Sequence, residues 1–175
     1  MHNSYKYLFI LFLLTFSLLS QANYEKDKTL DQFHSYKLVG KGTMKWLFIN
    51  LYKAELRTPS GKYNAETLPI YLKLEYLRNI SRKALITATE SEWHRLNIDY
   101  NPEWLIQLNK IWPDVSIHDS LTLHITKQGF SEFFLNDNYI GRIENDNFSA
   151  AFSAIWLSNE ARNTALRNQL IGLNR

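Results

Sequence analysis

Cysteine is missing from all 175 residues. That absence excludes a disulfide framework, a thiolate metal cage and lipid attachment through a cysteine side chain. A cluster of Lys and Arg is missing too. The formal charge is only +3 and the basic residues are dispersed, which excludes a nucleic-acid footprint. No Gly-x-Ser-x-Gly elbow, Walker loop or Rossmann glycine triplet occurs, so three common routes to catalysis are unavailable. The five histidines, His2, His34, His94, His118 and His124, never fall at the i, i+4 spacing of a helical zinc site. No metal or cofactor is expected. His124 alternates with Thr122 and Thr126 and reads as a surface imidazole on a solvent-facing strand face.

Charge is scarce at the N-terminus, where Lys6 is the only charged residue before Glu25. It precedes an apolar run, Tyr7 to Leu19, and then the small-x-small triplet Ser20-Gln21-Ala22. This order predicts a secretory signal over 1–22, cleaved after Ala22 and leaving no stable membrane anchor. The run is shorter than the ~18–20 residues that span a bilayer comfortably. The expected location is periplasmic or secreted. Residues 23–36 are predicted to form an N-terminal arm and the start of a first strand. Residues 37–175 then form one domain, large enough to bury a core without staples.

Aromatic residues are abundant, at 14% of the chain. Phe33–Val39 is predicted as a first strand, and Gly40-Lys41-Gly42 as a turn into a long second strand, Thr43 to Arg57. Strand parity places Met44, Trp46, Phe48, Asn50, Tyr52, Ala54 and Leu56 on one face, opposite Lys45, Leu47, Ile49, Leu51, Lys53 and Glu55. A third strand over Ile70–Tyr76 alternates cleanly. Helices are expected after Ser81 and between Asn101 and Pro113. A three-stranded meander then spans Leu121 to Ile143. Two closing helices carry caps at Asn147 and Ser158, the last running from Asn159 to Ile171. Strands, helices, hairpins and helices in this order predict an α+β fold, a large antiparallel sheet with helices packed on one face.

The row of Trp46, Phe48, Asn50 and Tyr52 is a candidate ligand wall, three rings with one amide to orient a small molecule. It is more commonly the pattern of a core strand whose amide bonds to backbone, since aromatic stripes are usually core. Lys45 and Arg78 flank apolar strands and join the candidates. A regular strand can turn either Lys45 or the aromatic row to a cleft, not both. The carboxylates Glu90, Glu92, Asp114, Asp119, Glu144 and Asp146 lie in polar, capping surroundings and read as solvated.

The stretch Gly40 to Leu56, followed by Pro59-Ser60-Gly61, resembles the start of bacterial chalcone isomerase-like domains. So do Leu74 to Ser81, the hairpins Phe130–Tyr139 with Gly141, and Phe148-x3-Phe152-x2-Ile155-Trp156-Leu157. The resemblance implies an open-faced sandwich with a slot between sheet and helices. In the plant isomerases an arginine and a tyrosine polarise the substrate there, and related non-enzymatic members bind fatty acids. By position the arginine falls on Lys45 and the tyrosine on Ile80. Lysine lacks the planar fork, and isoleucine can neither donate a hydrogen bond nor order water. The resemblance therefore implies a non-catalytic member binding a fatty acid or another apolar ligand. The alternatives are an intramolecular lyase acting on an unsaturated ketone, and a ligand-free envelope protein with a protein partner of unknown identity.

Overall fold

A computed structural model describes residues 35–173. The predicted signal over 1–22 and the arm as far as residue 34 lie outside the described residues. Six strands form one sheet in sequence order. They are β1 (Lys37–Trp46), β2 (Ile49–Thr58), β3 (Ile70–Tyr76), β4 (Ser120–Ile125), β5 (Ser131–Leu135) and β6 (Asn138–Ile143), and each neighbouring pair is antiparallel. Between β3 and β4 come α1 (Arg82–Arg95) and α2 (Glu103–Ile111); after β6 come α3 (Asp146–Leu157) and α4 (Thr164–Leu170). This is the α+β architecture the element order predicts.

The long second strand is corrected. The chain reverses at Leu47 and Phe48, with Trp46 paired to Ile49 across the hairpin. Both residues of the reversal are exposed, and Leu47 takes a positive φ of 54°. No Gly or Asn marks this turn, so apolar content there read as a strand centre. The glycines that did look like a turn, Gly40 and Gly42, lie inside β1. They serve close approach instead. A Cβ on Gly40 would fall 1.9 Å from the Gln169 carbonyl oxygen, so the C-terminal end of α4 sits directly on the β1 backbone.

Caps also shift. Asn145, not Asn147, closes the start of α3, its Oδ1 accepting from the Phe148 amide at 2.9 Å. Asn163 caps α4 by accepting from the Leu166 amide at 2.9 Å, whereas Ser158 ends α3. In each case the amide three residues on decides the cap. At α2 the cap shifts by one residue: Pro102 stands at the cap position with no side-chain cap bond, and Asn101, just before it, accepts from the Glu103 amide through Oδ1 at 2.9 Å.

The inward face of the sheet carries Leu56, Leu72, Leu123 and Phe133, packed against Trp93, Trp104, Trp112, Phe148 and Phe152 from the helices. Every residue of β4 is buried, so its outward Thr122 and His124 are covered as well. The surface reading of His124 is therefore corrected. The ring is 4% exposed, with Nδ1 2.9 Å from Glu132 Oε2 and Nε2 3.4 Å from the Tyr36 hydroxyl. Alternation alone could not show that a polar face is covered.

Candidate functional site

The inward face of the sheet and the helices do not close on each other completely. Between them lies a cavity of about 400 Å³. Its floor is Leu72, Leu74 and Tyr76 of β3, Leu121 and Leu123 of β4 and Phe133 of β5; Leu85, Ala88 and Thr89 of α1 form one wall, and Phe152, Ile155 and Trp156 of α3 another. Leu85 and Ile155 are only half-buried because the surface they present meets this space rather than another side chain.

The hairpin supplies the rim. Met44, Trp46, Leu51 and Tyr52 all line the cavity. Adjacent residues Leu51 and Tyr52 can do so because the ladder is irregular there. Met44 pairs with Tyr52 and Lys45 with Asn50, leaving Leu51 as the extra residue of a bulge. Of the six residues singled out by sequence, Trp46 and Tyr52 border the cavity. Lys45, Phe48, Asn50 and Arg78 are exposed and are not among its lining residues. The reversal explains this split: residues after Phe48 belong to the neighbouring strand, so the parity of one continuous strand no longer relates them to Trp46. Ile80 does line the cavity, which puts an apolar side chain where the resemblance implies a tyrosine.

Polar groups gather at one side. Glu92 of α1, and Arg162 and Asn163 between α3 and α4, border the cavity. Glu92 Oε2 accepts from Arg95 Nε at 2.8 Å, and its Oε1 accepts from Arg162 Nε. One carboxylate is thus shared by two guanidinium groups, and the cluster keeps a net positive charge. The solvated reading of Glu92 gives way here, since its side chain is only 16% exposed. The Glu92–Arg95 pair was visible as an i, i+3 spacing, but Arg162 arrives from a distant loop and left no local signal.

Tyr52 and Tyr76 contribute the phenols of the site. Their rings meet edge to face at 5.9 Å, and the Tyr52 hydroxyl accepts from Trp156 Nε1 at 2.9 Å. Burial pushes Tyr52 up to about 12, with Glu92 adding to the rise. Tyr76 is pushed higher still by burial and by Tyr52. Both remain protonated near neutrality and act as donors or acceptors, not as bases. Because the folded state resists their ionisation, their stabilising contribution is complete below the ordinary value of 10.0 and is lost as pH rises from there through about 12. The melting temperature is expected to fall above about pH 10, and Tyr76→Phe to fall less steeply while matching wild type at pH 7. Identical alkaline slopes in the two proteins would contradict this assignment.

A family model described as chalcone isomerase-like matches residues 19–172. The chain belongs to the chalcone isomerase-like family. A Haemophilus influenzae protein described as uncharacterized is 27% identical over 143 residues, which cover 80% of this chain and 70% of that one. Among solved structures, the Arabidopsis thaliana fatty-acid binding protein superposes with a TM-score of 0.64 at 12% identity, covering 79% of this chain and 88% of that one. At that identity the likeness speaks for the fold. In this member of the chalcone isomerase-like family the cavity is assembled from apolar side chains, with the Glu92–Arg162 pair at its polar side.

Proposed function

We propose that this protein is a non-catalytic carrier or sensor of an amphiphile, whose acyl chain lies in the cavity and whose acidic head meets Arg162. The observation that carries the reading is the cavity itself: a floor and two walls of Leu, Ile, Phe and Trp, with a net positive cluster at one side. An apolar slot with a few convergent polar groups is the usual form of a small-molecule site. Arg162 is 41% exposed, so a carboxylate can compete with Glu92 for its fork while Arg95 keeps Glu92 neutralised. The fold shared with a fatty-acid binding protein supports the same ligand class. Isomerase chemistry draws no support from the cavity, since Ile80 lines it and Lys45 stands outside. Export belongs to this proposal on the pattern of residues 1–22 alone; an intact mass beginning at Asn23 would agree with it.

Native mass spectrometry with added long-chain fatty acids tests the ligand. A one-to-one complex is expected, with the free acid preferred over the alcohol of equal length, and with that preference lost in Arg162→Gln. No complex with either ligand would sink the proposal. Equal preference in wild type and variant would remove Arg162 from it.

A further inference from the structure

The β1–β2 hairpin ends in four consecutive apolar residues. Trp46 is 52% exposed, Leu47 80%, Phe48 101% and Ile49 41%. The other large exposed apolar residues among those described, such as Ile106 and Tyr139, are scattered singly, which is ordinary for a protein surface. A contiguous apolar tip is not. We propose that this tip inserts into an anionic lipid bilayer and brings the mouth of the cavity to the membrane surface.

The turn chemistry argues that the tip is kept for something other than turning. Two-residue hairpin loops with a positive φ at the first position favour Gly, Asn or Asp. Leu47 holds a φ of 54° with a branched side chain, and Phe48 follows it with no surface covered at all. Strained backbone positions cluster at functional sites.

Shape and charge then favour a bilayer over a protein partner. A stable protein interface needs complementary surface on the order of 1,200–2,000 Å², and a narrow turn offers only its own few side chains. A fluid interface needs no complementary shape, and tryptophan at the base of an apolar tip suits the headgroup level. From Gly40 to Ala54 the hairpin has Lys41, Lys45 and Lys53 and no acidic residue, and of these Lys53 is paired with Glu75. Lys45, next to Trp46, forms no ion pair among the described residues. Basic residues behind an apolar tip match an anionic surface. Trp46 is shared, since it is both part of the tip and part of the cavity rim. An amphiphile could therefore pass between bilayer and cavity without crossing open water. The inference takes its cargo from the proposed function, but its test needs no cargo.

The probe is vesicles of phosphatidylethanolamine and phosphatidylglycerol, free of fatty acid, mixed with protein purified from the expressing cell. Wild type and variants are matched at their N-termini by intact mass. The double variant Leu47→Gly/Phe48→Asn puts glycine at the position of positive φ, so it is expected to melt no lower than wild type. Its vesicle binding is expected to drop at least about tenfold, as two buried apolar side chains are lost. Brominated acyl chains are expected to quench the fluorescence lost on Trp46→Phe, which reads the tip directly. Phosphatidylcholine vesicles are expected to bind more weakly. Equal binding by wild type and the double variant would overturn the proposal, as would absence of quenching. So would a dimer in solution that the double variant makes monomeric, because the tip would then be covered by a second copy. Neither substituted residue lines the cavity, so ligand uptake in the double variant is expected to be unchanged. Vesicle binding that persists without any fatty-acid complex would defeat only the proposed function.

Discussion

Replacing Ala88 with tryptophan is expected to weaken ligand binding about 100-fold while leaving the protein folded. Ala88 is exposed on α1 yet lines the cavity, so its side chain points across the mouth without supporting the core. An indole there occupies space that an acyl chain needs, and no buried neighbour has to move to admit it. The penalty on the helix itself is only about half a kcal/mol, the propensity difference between Ala and Trp. Loss of the chain's contacts with floor and wall is expected to weaken binding about 100-fold, roughly 2.7 kcal/mol. Thr87→Trp is the matched control, because Thr87 is exposed on the same helix and does not border the cavity. Titration of both variants with a fluorescent fatty acid separates the outcomes. Equal affinity in the two would mean that the ligand lies elsewhere.

Trp93→Ala is expected to be the most damaging single core substitution for stability. Trp93 is fully buried, and its Nε1 donates to the Ala151 carbonyl at 3.0 Å, tying α1 to α3. Its ring meets Tyr100 at 5.1 Å, Trp104 at 5.8 Å, Phe148 at 6.1 Å and Phe152 at 6.5 Å. Truncation of such a ring costs about 3–5 kcal/mol, a large share of the ~5–15 kcal/mol that holds a domain together. Urea unfolding is expected to show the free energy of unfolding falling by that amount, with the midpoint shifted in proportion and Trp93→Phe intermediate. A loss below about 1 kcal/mol would mean that the helices can collapse into the gap.

These two residues also show what the sequence makes legible. The Ser81 cap places helix α1, but apolar spacing alone gives Trp93 no rank above Leu85 and Ala88. The structure separates them. Trp93 is core, whereas Leu85 and Ala88 face a cavity, and periodicity cannot tell apolar neighbours from empty apolar space. The fold was readable because strand alternation, the Asn101-Pro102 helix start and Pro113 each act locally. The hairpin was misread because its turn lacks turn residues, and because Gly40 and Gly42, the glycines nearby, answer to α4 instead. Trp46 and Tyr52 were found among the candidates, since aromatic side chains suit a pocket wall. Arg162 was not found, because its partner Glu92 is 70 residues away in the chain and nothing local marks it.

The strand order carries one more consequence. Strands β1 to β3 and β4 to β6 are two runs of sequence neighbours, and the ladder joining them is β3 with β4, which α1 and α2 separate along the chain. Such a distant pairing is the entropically slow one to form. The cavity floor straddles that same seam, with Leu72 and Leu74 on one side and Leu121 and Leu123 on the other. Anything resting on the floor would clasp both halves of the sheet at once. Occupancy should then be readable, without any probe on the ligand, as slower amide exchange along the β3–β4 seam.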